Sequence, residues 1–90
     1  MQVAATNKSL EEIKRDLDNY VGRRVRLRAN RGRRRYIEAE GILEKTYPHV
    51  FVVRLDKRGT VSRMAYSYAD VLTSTVEVTV DDKQIGVANL

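Results

Sequence analysis

Residues 23–40 read Arg23-Arg24-Val25-Arg26-Leu27-Arg28-Ala29-Asn30-Arg31-Gly32-Arg33-Arg34-Arg35-Tyr36-Ile37-Glu38-Ala39-Glu40. Val25, Leu27 and Ala29 alternate with Arg24, Arg26 and Arg28, the period of a strand with one apolar and one solvated face. Asn30-Arg31-Gly32-Arg33 has turn composition. A second strand is expected from about Arg34 to Lys45, with Gly41 marking a bulge or sharp bend. A three-residue loop at 31–33 would set Leu27 against Ile37 and Val25 against Ala39. On the wet face it would set Arg26 against Glu38 and Arg24 against Glu40, pairs worth about 0.2–1 kcal/mol each. A two-residue loop would set Val25 against Glu38, so the three-residue loop is preferred. Arg24 and Arg26 then belong to the sheet, and Arg28, Arg31, Arg33, Arg34 and Arg35 are left unpaired at the hairpin tip.

Downstream the strand pattern continues. Val50 to Leu55 reads as a third strand and Asp56-Lys57-Arg58-Gly59 as a turn. Thr60 to Tyr66 reads as a fourth strand, and Val76 to Val80 as a fifth. Ser67 to Thr73 is short and suits a single 3₁₀ turn. Upstream, Leu10, Ile13, Leu17 and Tyr20 or Val21 recur at helical spacing. Ser9 and Glu12 have capping-box spacing, and Gly22 is a natural stop, so a helix is expected from about Ser9 to Tyr20. The expected organisation is a flexible N-terminus at 1–8, one domain over 9–80 and a weakly patterned tail at 81–90. One helix and five short strands predict a mainly β fold, a small SH3-like or Sm-like five-stranded barrel whose open end the helix caps.

Apolar residues occupy both faces of the third strand, Val50 and Val52 on one, Phe51, Val53 and Leu55 on the other. The second face needs a cover: the helix, the tail or a second subunit, which points to a homodimer. Tyr20, Tyr66 and Tyr68 are expected to cover the core with their hydroxyls in water. Tyr36 and Tyr47 could flank the basic hairpin as a stacking platform for single-stranded nucleic acid.

The chain has 90 residues, 42% hydrophobic and 32% charged, which suits one soluble domain with a small core. It has no Cys, which excludes disulfides, thiolate-bound metal and thiol catalysis. No apolar run is long enough to cross a bilayer or serve as a signal peptide, so a cytoplasmic location is expected. His49 is the single imidazole and cannot build a metal site alone. The serines lack a base and an orienting partner, and the glycines match neither a dinucleotide fingerprint nor a phosphate loop. No catalytic residue, metal ligand or cofactor is expected, and the protein is read as a non-enzyme.

The formal charge is +5, and eight of the 17 basic residues are the arginines between Arg23 and Arg35. Without those eight the charge would be −3, so the basicity is local. Arg carries a planar donor fork that suits phosphate and carboxylate alike. The tip residues Arg28, Arg31, Arg33, Arg34 and Arg35 are therefore the candidate site, for nucleic acid or for an acidic protein surface. Nothing in the stretch reads base edges, so any nucleic-acid binding would be weakly specific.

The chain also resembles the Veg family of small bacterial proteins. The residues that carry the likeness include Ala29-Asn30, Gly32-Arg33-Arg34, Gly41-Ile42-Leu43 and Thr46-Tyr47-Pro48. Val50-Phe51-Val52, Leu55-Asp56 and, most specifically, Tyr66-Ser67-Tyr68-Ala69-Asp70-Val71-Leu72-Thr73 extend it, so that it covers about 10–80. The resemblance implies a cytosolic protein of SH3-like barrel fold that stimulates biofilm formation by relieving a transcriptional repressor of matrix genes. It thus implies regulation through contact with a protein. No functional residue carries over from it, and the arginines at 31–35 exceed the family pattern. The expected function is a small regulator acting on a protein partner such as a transcriptional repressor; the alternative is a nucleic-acid-binding barrel that contacts phosphates through its arginine tip.

Overall fold

Ser9 opens the first helix, α1 (Leu10–Asp18), as its spacing predicts. Its hydroxyl accepts from the Glu12 N–H at 3.2 Å, and the Ser9 N–H donates to Glu12 Oε1 at 3.1 Å. This reciprocal cap satisfies two otherwise free donors. Replacing Ser9 with Ala is expected to cost about 0.5–2 kcal/mol, read as a lowered urea midpoint with unchanged slope. The helix ends two residues before the expected Tyr20, and a turn carries the chain to Gly22 at φ +90°. Ile13 and Leu17 are fully buried. Asp18 accepts a hydrogen bond from the Thr46 hydroxyl and pairs with Lys14 at 3.0 Å. The Thr46 bond, then Lys14, holds its carboxyl below the usual carboxylate range.

The computed structural model describes residues 9–30, 32–57 and 59–86. The N-terminal segment 1–8, expected to be flexible, lies outside the described residues, as do Arg31, Arg58 and 87–90. Six strands follow α1: β1 (Arg24–Asn30), β2 (Tyr36–Thr46), β3 (Val50–Lys57), β4 (Thr60–Ser67), β5 (Val76–Val80) and β6 (Lys83–Ile85). They form one antiparallel sheet in the order β4-β3-β2-β1-β5-β6, with open edges at β4 and β6. The expected count of five is corrected to six. Asp81 and Asp82 turn with positive φ, and the tail folds back on β5 and buries Ile85. The segment between β4 and β5 is also more than a 3₁₀ turn. It is a short α-helix, α2 (Tyr68–Leu72), because the Ser67 hydroxyl caps it by accepting from the Asp70 N–H at 3.1 Å.

The β1–β2 register is two residues from the expected one. Arg26 faces Glu40, Leu27 faces Ala39, Arg28 faces Glu38 and Ala29 faces Ile37. A two-residue shift keeps every side chain on its own face, so the apolar alternation cannot distinguish the two registers. The loop therefore has five residues, 31–35. Gly41 is not a bulge. The bulge falls between Leu43 and Lys45, where the β2–β3 register shifts. At Gly41 the β3 backbone approaches so closely that a Cβ would lie 2.3 Å from the Arg54 carbonyl oxygen.

The core is one cluster on the inner face of the sheet, covered at one end by α1 and α2. Phe51 is its largest fully buried side chain, with Tyr66 and Tyr68 rings each 5.8 Å from its centroid. Tyr68 departs from expectation. It is buried, and its hydroxyl donates to the Tyr47 carbonyl at 2.6 Å instead of facing water. Burial raises its pKa. Phe51, Val53 and Leu55 of β3 are core, while Val50 and Val52 on the outer face are half-buried.

Candidate binding surface at the arginine hairpin

Asn30 ends β1, and its side-chain carbonyl accepts from the Gly32 N–H at 2.9 Å. The Arg35 N–H donates to the Gly32 carbonyl at 3.2 Å, closing a turn. Within that turn Arg34 has φ +55°, a left-handed conformation that costs a side-chain-bearing residue about 1–2 kcal/mol. Gly or Asn would sit there more cheaply. Arg33, Arg34 and Arg35 are exposed and make no ion pair among the described residues. Arg31, named with them from the sequence, lies outside the described residues.

Arg28 does not belong to the tip. The five-residue loop places it inside β1, opposite Glu38 on β2 and Glu77 on β5. Its guanidinium lies 4.0 Å from the centre of the Tyr36 ring. Arg24 and Arg26 are sheet residues, as expected, but one acid serves both: their Nε atoms lie 3.2 and 3.5 Å from the two carboxylate oxygens of Glu40. Arg23 pairs with Asp81 across the opposite end of the sheet. Charge thus falls into two groups: a wet sheet face that neutralises itself, and a protruding turn that does not.

The two tyrosines do not flank the turn together. Tyr36 begins β2, and Tyr47 follows its end after eleven strand residues. Tyr36 is 46% exposed and carries Arg28 on one ring face. Tyr47 is 41% exposed, with the Lys45 ammonium 5.3 Å from its ring centre, in the β2–β3 turn with Pro48 and His49. A paired stacking platform at the tip is therefore not formed.

One feature near the tip escaped the sequence. At the hairpin end no helix among the described residues lies over the inner sheet face, and a cleft of about 190 Å³ opens between Ala29, Ile37 and Ala39 on one wall and Leu55 and Met64 on the other. Ile37 is 52% exposed there. The facing alanines at 29 and 39 were the available signal, since small residues leave a sheet face underfilled. Among the described residues no three His, Asp or Glu side chains gather as a metal site, and no helix is long and apolar enough to cross a membrane.

Fold and surface together define a small, basic, mainly β module that presents a constrained, uncompensated arginine turn. A family model described as "Biofilm formation stimulator VEG" matches residues 8–79, and the chain belongs to that family. No curated protein matches the chain at a significant level.

Proposed function

We propose that the protein supports biofilm formation as a non-enzymatic, cytoplasmic regulator of transcription. In this reading the arginine turn grips an acidic surface on a regulator protein. The carrying observation is the turn itself. Arg33, Arg34 and Arg35 are exposed and pair with no acid among the described residues, and Arg34 holds a backbone conformation that Gly would adopt at less cost. Strain of this kind clusters at binding and active sites. The family description supplies the biofilm role. Tyr36 favours a protein over a nucleic acid, because Arg28 occupies one face of the ring on which a base would stack. The strand order, with β5 returning beside β1 and a short helix before it, supports reading the sheet as an opened SH3-like barrel.

The test combines Arg33→Ser, Arg34→Gly and Arg35→Ser. The expected result is thermal unfolding no lower than that of the unmodified chain, because the changed side chains are exposed and Gly relieves the left-handed backbone at position 34, together with loss of biofilm stimulation in a strain lacking the gene. Full complementation by the folded triple variant overturns the reading. Anisotropy with labelled single- and double-stranded oligonucleotides separates the alternative. Binding that survives physiological salt, with a log–log salt slope reduced by about 3 in the variant, would place phosphate contacts at the turn instead.

A further inference from the structure

We propose that the free edge of β4 is a self-recognition surface, pairing two copies of this chain antiparallel about Met64. The two open edges of the sheet differ in kind. β6 has three residues, too short to template a partner strand. β4 has eight, held in unbroken register against β3. It contains no proline and no bulge. Its one charged side chain, Arg63, leans away to Glu44, with Nε 2.7 Å from the carboxylate. Val61 on the same strand is 55% exposed. Natural sheets protect long edges with charge, proline or distortion, and an edge without these devices normally has a strand to pair with.

The sequence of β4 selects a second copy as that strand. Opposed residues in an antiparallel pair share a sheet face, so a two-fold axis must pass through a residue facing itself. An axis at Arg63 would oppose two guanidinium groups. An axis at Ser62 would set Met64 against Thr60. An axis at Met64 sets Met64 on Met64, Tyr66 on Ser62 and Arg63 beside Ala65, with no like charges opposed. Charge supports the same direction. The arginine turn lies toward the Thr60 end of β4, since Ile37 shares its cleft with Ser62 and Met64. Antiparallel pairing carries the two basic turns to opposite ends of the joint sheet, whereas parallel pairing would set them side by side. Among the described residues no strand pairs with this side of β4, and Met64, Ala65 and Tyr66 border an open cleft of about 360 Å³ with Ala29 and Val76.

Because the chain lacks Cys, single substitutions report the register directly. Facing Cα atoms in an antiparallel pair are about 4.5–5.5 Å apart, within disulfide reach. The expected result is that Met64→Cys forms an intermolecular disulfide under mild oxidation in buffer but not in urea. Ser62→Cys and Tyr66→Cys should each stay uncrosslinked alone and crosslink when mixed. The mixed pair reads the register even if Met64→Cys weakens the fold. The unmodified chain should sediment as a dimer, and the triple arginine variant should do the same. A monomer across the concentration series overturns the proposal, as does crosslinking of Ser62→Cys alone as efficiently as Met64→Cys. The sedimentation result stands apart from the arginine-turn reading, so either can fail without the other.

Discussion

Phe51→Ala should lower the unfolding free energy by about 3–5 kcal/mol, the range for removing a fully buried aromatic side chain. Phe51 is completely buried and packs against both the Tyr66 and Tyr68 rings, so its loss leaves a cavity that both tyrosines border. Domains of this size hold about 5–15 kcal/mol in total, so the change removes a large share of the stability. It also loosens the link between β3 and α2, since Tyr68 anchors α2 both by its ring on Phe51 and by its hydroxyl on the Tyr47 carbonyl. The measurement is urea denaturation followed by circular dichroism. Val21→Ser, at an exposed turn position, is the comparison and should shift stability by less than about 0.5 kcal/mol. Equal effects from the two would remove Phe51 from the centre of the core.

Gly41→Ala should be the most damaging addition of a single methyl group. An ideal Cβ there would lie 2.3 Å from the Arg54 carbonyl oxygen and 2.9 Å from Leu55 Cδ2. The first contact is backbone, so β2 and β3 must separate at the Gly41–Leu55 end of their ladder. Overpacking of this kind costs about 1–3 kcal/mol or more. The opposing gain, from a stiffer unfolded chain, is about 0.4–1 kcal/mol and does not offset it. A lowered midpoint with weakened amide protection at Ile42 and Arg54 is expected. An unchanged midpoint would show that the two strands can part without loss.

These two positions also show where sequence reasoning reached and where it stopped. Gly41 stood out as an interruption of the alternation, and a bulge or sharp bend was the expectation. The actual cause is a neighbouring backbone, which no local pattern contains. The bulge sits two residues on, at Leu43/Lys45, where nothing in the composition marks it. Phe51 was assigned to an apolar face, but its central place depends on Tyr66 and Tyr68 arriving from later elements.

The candidate site divides in the same way. Arg33, Arg34 and Arg35 were legible because an acid-free run between two alternating strands must project from the sheet. Arg28 was misplaced because a register shift of two residues leaves every face unchanged. Tyr47 was paired with Tyr36 although the expected strand between them, from about Arg34 to Lys45, already carries it to the far end, as β2 does.

By itself the sequence determined the local elements whose signals are complete within a few residues. The Ser9–Glu12 cap, the α1 stripe, the alternation of β1 and β5 and the arginine turn all follow from neighbouring side chains and backbone. Tertiary structure decided what depends on distant partners: the β1–β2 register, the sixth strand, the open sheet edges and the burial of the Tyr68 hydroxyl. The physical reason is range. Periodicity and capping act over one to four residues, whereas register and closure depend on packing between segments that meet only when the chain has folded.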